Sequence, residues 1–154
     1  LIKQMNLSAI LVTHDKKEAL SISDKIGIIN DKKLIQFDSA KKMFENPNSL
    51  YVANFLCEVN ELPNKYIEDI GLDIKDDKVA IIKIDECKIS KDKSNCKVKI
   101  LDISFCGEYY ELVLKLLDYD NIDMIVKSHS IENLDINDEA FMHIDKKDIK
   151  IIDK

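Results

Sequence analysis

The stretch AILVTHDKKEALSISDKIGIIN, from Ala9 to Asn30, decides how the first third of this chain folds. An apolar run over Ser8–Val12 ends at His14 and Asp15, a pattern typical of a buried strand. Asp15 then stands at an N-cap position with a Glu three residues later, the spacing of a capping box. The pattern therefore predicts a strand over Ser8–Val12 and a helix from about Lys16 to Ser23.

The residues that follow predict a β-hairpin and two short helices. Lys25–Asn30 and Leu34–Phe37 have the composition of paired strands, with a polar turn between them. Ser39 stands before a short helix, which Asn46-Pro47 ends because the residue before a proline is disfavoured in a helix. Ser49–Leu56 has its apolar side chains at helical spacing and predicts a further helix.

The patterning changes twice along the chain and predicts an α+β protein. Residues 1–56 form a first part with mixed helices and strands. Residues 57–78 contain Pro63, Gly71 and a run of acids with little periodicity, and we expect a connector there. Residues 79–154 alternate between polar and apolar positions in about five or six short strands, which fits a small, partly open β-barrel of the oligonucleotide/oligosaccharide-binding (OB) kind.

One predicted barrel strand carries a shift in its alternation. Apolar residues occupy even positions up to Ile100 and odd positions from Leu101 to Phe105. A slip of one residue within a strand is what a β-bulge produces, and small barrels use bulges to turn corners. We therefore expect a bulge within this strand.

Composition and charge exclude several classes of function. The chain has 154 residues and a formal net charge of -6, with acids and lysines interleaved. Because nucleic-acid binding needs a clustered basic face, nucleic acid is not an expected partner. The apolar runs are far shorter than the roughly 20 residues that cross a bilayer. The four cysteines show no metal-ligand spacing, so we expect free thiols and no metal site.

His14 is the residue with the sharpest chemical interpretation. It follows a predicted buried strand and precedes a capped helix, so its ring is expected at the strand's C-terminal edge, where open α/β sheets bind ligands. A neutral imidazole there can hold a phosphate oxygen or an attacking water by a hydrogen bond. The alternative is a histidine at a strand end with no ligand, and spacing alone leaves both interpretations open.

The segment LVTHDKKEALSISDKIGIINDKKLIQFDSAKKMFENPNSLYVANFL, over Leu11–Leu56, resembles the end of the ATP-binding subunit of ABC importers, from its switch-loop motif VTHDxxEAL onward. Further along, KILDISFCGEYYELVLKL and NDEAFMHIDKKDIKII are similar to strands of the regulatory TOBE domain of such subunits. The resemblance implies the C-terminal end of an α/β nucleotide-binding domain over 1–56 and an OB-like TOBE barrel over 79–154. The short connector is most similar to those of ferric-iron and polyamine importers.

The resemblance also implies roles and partners. His14 would be the switch histidine, a catalytic residue that contacts the γ-phosphate of ATP in the parent protein. ATP and Mg²⁺ would be the cofactors of that parent, and transmembrane permease subunits its partners at the cytoplasmic face of the membrane. A homodimer is expected as well, because residues 1–56 lack sheet neighbours and should expose apolar surface. A small ligand at the barrel remains an open expectation.

The other chemical parts of such an ATPase are absent from the sequence. Nothing matches the phosphate loop G-x-x-x-x-G-K-[ST], the signature motif or the Walker B acids, and the chain contains only 3 glycines. The chain begins at Leu1 within a pattern, so we expect it to be a piece of a longer ATPase, inactive and without cofactor by itself. The alternative is a stand-alone ligand-binding or adaptor protein that has a TOBE barrel and no ATPase activity.

Several residues depart from the pattern of the family, among them Lys32, Ala40, Cys57, Lys83 and Ile84. Lys32 stands where the hairpin turn usually has Gly, and Lys83 stands where the barrel usually has Arg. A Lys supplies positive charge without the two-pronged donor geometry of Arg.

Ser104 and the backbone near Gly107 are candidate donors to a small anion, with a plain hairpin turn at Gly107 as the alternative.

Overall fold

The structure, a computed structural model, describes residues 8–120 and 122–154. The chain divides into two compact units, the first ending at Leu56 and the second running from Cys57 to Lys154. Most of the regular structure in the described residues is β-sheet. The elements are α1 (Lys16–Ile22), β1 (Lys25–Asn30), β2 (Lys33–Ser39), α2 (Ala40–Glu45), α3 (Leu50–Leu56), β3 (Val59–Glu61), α4 (Asn64–Asp69), β4 (Lys78–Lys83), β5 (Lys88–Ser90), β6 (Lys97–Phe105), β7 (Tyr110–Leu116), β8 (Asp123–Ser128), β9 (Glu139–His143), a 3₁₀ helix (Lys146–Asp148) and β10 (Lys150–Asp153).

The first unit is built on the predicted hairpin. β1 and β2 pair antiparallel along their lengths, and α2 contacts both strands. Ile26 and Ile28 of β1 and Met43 of α2 are buried. Ser39 caps α2 by accepting a hydrogen bond from the Lys42 N–H. The hairpin and the capped helix predicted from the sequence are confirmed.

Helix α1 begins as the sequence predicts. The Asp15 carboxylate accepts hydrogen bonds from the N–H groups of Lys17 at 2.8 Å and Glu18 at 3.1 Å. These two backbone bonds hold the pKa of the Asp15 carboxyl below its ordinary value, and the bond from Glu18 has the larger effect. The helix buries none of its residues, and Ile22 is 59% exposed. The predicted cap is therefore confirmed, and the capped helix leaves its apolar side chains at least partly exposed.

The predicted strand over Ser8–Val12 is wrong for this structure. The segment forms no β-bridge, and Ile10 and Val12 are 97% and 92% exposed. An inner strand needs hydrogen-bonded neighbours on its flanks, and no strand of residues 8–120 or 122–154 pairs with this one. The α/β nucleotide-binding fragment expected over 1–56 is therefore not shown, and its described part holds one hairpin and short helices.

The second unit contains two antiparallel sheets around one core. Their strand orders are β10-β4-β3 and β5-β9-β6-β7-β8. Alternate residues of these strands are buried in the core, among them Val98, Ile100, Leu112, Leu114 and Val126. No ladder joins β5 to β8, the two edges of the larger sheet. The expected OB-like barrel is therefore not closed.

Residues 57–78, expected as a connector, contribute two elements to this unit. β3 pairs with β4, with Val59 opposite Lys83. Helix α4 places Tyr66 and Ile67 in the core, where the Tyr66 ring packs edge-on against Tyr119 with 5.3 Å between ring centroids. Leu62, Tyr66 and Ile67, at spacings i, i+4 and i+5, make this contact with the core. The acids around them make this helical spacing difficult to recognise in the sequence.

The bulge predicted in β6 is confirmed. Ile100 pairs with Leu114 of β7, and Asp102 pairs with Val113, so Leu101 is the extra residue. The side-chain alternation changes phase at this point, which lets Ile103 pack against the core after the bulge as Ile100 does before it.

The turn between β1 and β2 provides a test of backbone strain. Asp31 and Lys32 have φ values of 46° and 63°, two consecutive left-handed residues as in a type I′ turn. Side chains resist this conformation and Gly does not, so Lys32→Gly is expected to raise the free energy of unfolding by about 1 kcal/mol. Urea denaturation followed by circular dichroism measures the change.

The matched control is the neighbouring residue Lys33, which is the first residue of β2. Lys33→Gly is expected to lower the free energy of unfolding by about 0.5–1 kcal/mol, because Gly loses more backbone freedom in a strand. Equal effects of the two substitutions would contradict a strained turn at Lys32.

Candidate functional site

His14 lies at the bend before the capped helix α1. Its side chain is exposed, and the next residue is the helix cap Asp15. The Asp15 backbone N–H donates to Thr13 Oγ1 at 3.0 Å, while the Asp15 side chain caps α1. The bond between Thr13 and Asp15 spans His14. Because the imidazole is exposed, it is accessible to a group approaching from solvent.

In the second unit, Asn60 is a buried polar residue at the free edge of β8. It is only 8% exposed. Its Oδ1 accepts the N–H of Ile125 at 2.9 Å, and its Nδ2 donates to the carbonyl of Ile125 at 2.7 Å. A residue of a neighbouring antiparallel strand would make these same two bonds. Asn60 therefore takes the place of a strand partner and links the smaller sheet to the larger one.

The residues around Asn60 extend this link. The Lys127 N–H donates to the carbonyl of Ile84 at 2.8 Å, and the Ile84 N–H donates to the carbonyl of Glu58 at 3.1 Å. The Lys127 ammonium donates to Glu58 Oε2 at 2.5 Å and lies 4.7 Å from the centroid of the Tyr109 ring. The bond to Glu58 raises the pKa of Lys127 above its ordinary value. The outer edge of β8 is thus covered by main-chain and side-chain groups.

A groove of about 570 Å³ lies between β5 and the end of β8, where the barrel is not closed. Its walls carry both signs of charge, from Asp85, Lys88, Lys91 and Asp92 on one side and from Lys127 and Glu132 on the other. Such a lining can receive a small polar molecule, but it favours neither an anion nor a cation.

The two histidines of the second unit are held by carbonyl groups. His143 Nε2 lies 3.0 Å from Ser90 Oγ and 3.2 Å from the Asp92 carbonyl, and His129 Nδ1 lies 3.1 Å from the Glu108 carbonyl. A carbonyl only accepts, so the nitrogen facing it carries a proton and cannot ligate a metal. Across residues 8–120 and 122–154, no three His, Cys, Asp or Glu side chains are grouped to hold a metal ion.

The candidate anion donors lie at the β6–β7 hairpin. Ser104 Oγ donates to Asp102 Oδ2 at 3.1 Å, and Gly107 has a φ of 88°. An anion here would meet the carboxylates of Asp102 and Glu108. Ser104 is engaged by a carboxylate and Gly107 makes the turn, which is the alternative stated from the sequence.

None of the four cysteines forms a disulfide; three are buried, and Cys106 is exposed. Burial, with smaller contributions from nearby acids, raises the pKa of Cys87 and of Cys96 to about 12. Neither thiol ionises near neutral pH, so neither is an activated nucleophile there.

Lys83, which departs from the motif that the sequence resembles, is paired with a carboxylate. Its ammonium lies 3.6 Å from Glu86 Oε1, and the two side chains are 14% and 27% exposed. The other oxygen, Glu86 Oε2, is buried and accepts no hydrogen bond from the described residues. A single ammonium thus leaves one buried carboxylate oxygen unsatisfied.

This pair generates a stability prediction. Lys83→Arg is expected to raise the free energy of unfolding by about 1 kcal/mol, because the guanidinium presents two parallel donors to the two oxygens of Glu86. Lys78→Arg is the control, since Lys78 pairs with the exposed Asp153 and should change stability by less than about 0.5 kcal/mol. Thermal unfolding measures both variants, and a lower midpoint for Lys83→Arg would contradict the unsatisfied-oxygen argument.

Asn60 gives a larger predicted effect. Asn60→Ala is expected to lower the free energy of unfolding by about 2 kcal/mol, because it leaves the part-buried N–H and carbonyl of Ile125 without their partners. Asn60→Asp keeps the acceptor and removes the donor when ionised. Urea denaturation at several pH values measures both variants, with the exposed Asn95→Ala as a control expected to change stability by less than about 0.5 kcal/mol.

The pH dependence of Asn60→Asp follows from burial beside a carbonyl, which raises the pKa of the introduced carboxyl in the folded state. The protonated form can donate to Ile125, so the stability that it restores is present below the unfolded pKa. That stability is lost as pH rises through the folded pKa. A deficit relative to wild type that shrinks as pH rises would contradict this role of Asn60.

Sequence reasoning missed both Asn60 and Glu86. For Asn60 a signal exists in the alternation of side chains. Leu62 lies two residues later, so the two side chains point to the same side of the chain, and both are buried. A polar residue at a core position of a strand demands a partner, but the partner, Ile125, is too distant in sequence to be named. Glu86 follows a strand as an ordinary turn acid, with nothing in the sequence to mark its burial.

Comparison with known proteins places the chain beside ATP-binding import proteins. No family model matches it. It is similar to the spermidine/putrescine import ATP-binding protein PotA of Mesomycoplasma hyopneumoniae (strain J), with 28% identity over 98% of this chain and 36% of that protein. It is also similar to the glucose import ATP-binding protein GlcV of Saccharolobus solfataricus, with 25% identity over 98% of this chain and 46% of that protein.

Both relatives are ATP-binding subunits of ABC importers, the class that the sequence motifs resemble. The chain spans between a third and a half of their lengths. Among solved structures, the cytoplasmic molybdate-binding protein ModG matches with a TM-score of 0.43 and 15% identity, over 58% of this chain and 71% of ModG. In the described residues, no helix combines the length and apolar character needed to span a membrane.

Proposed function

We propose that this chain is the C-terminal portion of the ATP-binding subunit of an ABC importer, with a TOBE-like regulatory domain as its second unit. The observation that carries the proposal is the similarity of 98% of the chain to two ATP-binding import proteins. One relative is named for polyamines and the other for glucose. What the chain shares with both is therefore the ATP-driven machinery rather than a solute.

In such a subunit His14 is the switch histidine. Its exposed ring stands at a bend that the Asp15 cap and Thr13 hold by hydrogen bonds, so the bend rather than ring contacts sets its direction. From there it donates to the γ-phosphate of ATP and helps to hold the attacking water. The phosphate loop and the acids that hold Mg²⁺ are supplied by other residues, because this sequence contains no G-x-x-x-x-G-K-[ST]. Hydrolysis is then a property of the parent subunit, not of this chain alone.

The exposed apolar residues of the first unit support the same assignment. Ile10 and Val12 before His14, and Ile29, Leu34 and Phe37 on the hairpin, are all more than half exposed. Burying such side chains stabilises a protein by about 1.5–3 kcal/mol each. We propose that the rest of the nucleotide-binding domain covers them, and that two such subunits form a dimer on permease subunits at the cytoplasmic face of the membrane.

For the transported solute we favour a polyamine over ferric iron. The support is the name of the polyamine-import relative. This assignment is separate from that of the ATPase class and can fail without it.

The experiment that tests the function compares two histidines in the full ATP-binding subunit whose coding sequence contains this chain. His14→Ala is expected to leave ATP binding nearly intact and to reduce ATP turnover by about 10²–10³-fold, the effect of losing one group that stabilises the transition state. His129→Ala, also exposed but in the second unit, is the control and should keep turnover within about twofold.

Equal turnover of the wild type and His14→Ala would contradict the switch role. The class of the protein has its own test in the coding region that precedes Leu1. An in-frame phosphate loop supports the ATPase subunit, and a start codon there with no such loop overturns it in favour of a stand-alone ligand-binding or adaptor protein.

A further inference from the structure

Strand β6 extends beyond its neighbour β9. The ladder with β9 covers only Lys97–Lys99, and the Ile100 N–H and carbonyl bond to the Asp138 carbonyl and the Asn137 N–H. The later part of β6, Asp102–Phe105, still pairs with β7. On its other side no strand of the described residues is present. The four residues Asp102–Phe105 are called the open edge below.

The bulge at Leu101 sets which backbone groups this edge presents. Successive residues of an antiparallel strand direct their N–H and carbonyl groups to opposite sides. The Cys106 N–H donates to the Tyr109 carbonyl, towards β7. Ser104 and Asp102 therefore also face β7, and the N–H and carbonyl groups of Ile103 and Phe105 face outward. Before the bulge the phase is reversed, since Ile100 faces β9.

The open edge differs from the outer edge of β8 in the same sheet. There, Asn60 bonds Ile125, and the Ile84 carbonyl accepts the Lys127 N–H. Proteins usually cover a free edge or place a Lys or Pro on it to prevent pairing. The open edge has neither. Its protection is limited to its short length, the bulge before it and the charge of Asp102, and Phe105 is 67% exposed. Its outward N–H and carbonyl groups have no strand beside them among the described residues.

The charged residues in the two segments of sequence next to this edge are acidic. Residues 101–114 and 128–139 contain no Lys or Arg, and their charged residues are Asp102, Glu108, Glu111, Glu132, Asp135, Asp138 and Glu139. Two of these acids pair with lysines from elsewhere, Asp138 with Lys91 and Glu139 with Lys97. The remaining carboxylates favour a cationic partner along the strand.

We propose that the open edge binds an extended segment of another protein, in which basic and apolar side chains alternate, by adding it as a strand beside Asp102–Phe105. Main-chain bonds to Ile103 and Phe105 supply affinity, and alternate side chains supply specificity. Apolar side chains of the segment lie beside Ile103 and Phe105, and basic ones lie on the opposite face beside Asp102. A second copy of the chain is a poor occupant, because two such edges would bring like charges together.

The test uses the full chain, labelled with ¹⁵N, and two short synthetic peptides. One peptide alternates Lys and Val, and its mirror alternates Glu and Val. The Lys/Val peptide is expected to slow amide hydrogen exchange of Ile103 and Phe105 by about tenfold or more, as pairing with a strand does. The Glu/Val peptide should leave their exchange unchanged.

A pair of variants separates backbone pairing from contact with the ring. Phe105→Ala keeps the outward N–H, whereas Phe105→Pro removes it at a position where Pro is compatible with an edge strand. The dissociation constant of the Lys/Val peptide is expected to rise about tenfold more for Phe105→Pro than for Phe105→Ala. If thermal unfolding of Phe105→Pro is not cooperative, the variant is not folded and Asp102→Lys replaces it. Asp102→Lys should weaken binding of the Lys/Val peptide and strengthen binding of the Glu/Val peptide.

Three results of the peptide experiments would overturn the proposal. They are equal binding of the two peptides, protection that falls outside Asp102–Phe105, and equal dissociation constants for the two Phe105 variants. A concentration-dependent dimer in sedimentation, with Ile103 and Phe105 protected in the absence of peptide, would assign the edge to a second copy instead and would also overturn it.

Discussion

The second unit depends on two hydrogen bonds from one side chain. Asn60 presents its amide to Ile125, 65 residues later, and replaces the strand that would otherwise lie beside β8. A buried amide without partners would be strongly unfavourable, and so would the bare N–H and carbonyl of Ile125. The Asn60 amide and the Ile125 backbone therefore satisfy each other's hydrogen-bonding groups. This is how a three-stranded and a five-stranded sheet share one core without a ladder between them.

Two strand edges of the larger sheet differ in whether other groups cover them. The outer edge of β8 is closed by Asn60 and the Ile84 carbonyl. The end of β6 is left open, because β9 stops before the bulge at Leu101. The bulge both carries Ile103 into the core and turns its backbone groups outward. One extra residue thus gives the strand a packing role on one side and a surface for a partner on the other.

The first unit combines a firm local structure with an incomplete surface. Caps at Asp15 and Ser39 and the ladder of β1 and β2 are short-range features that form from adjacent residues. The apolar side chains around them, such as Ile10 and Phe37, have no cover among the described residues of this unit. His14, the residue proposed to act on ATP, therefore lies in a unit with many exposed apolar side chains.

The sequence by itself determined the local features: the caps, the hairpin, the bulge and the resemblance to importer ATPases around His14. Each of these depends on residues a few positions apart, where spacing is sufficient evidence. Tertiary structure alone decided whether Ser8–Val12 is a strand, because a strand exists only beside a partner. It also decided the roles of Asn60 and of the open edge, since both depend on which distant strand lies alongside or is missing. Pairing between remote segments is the information that a local pattern does not carry.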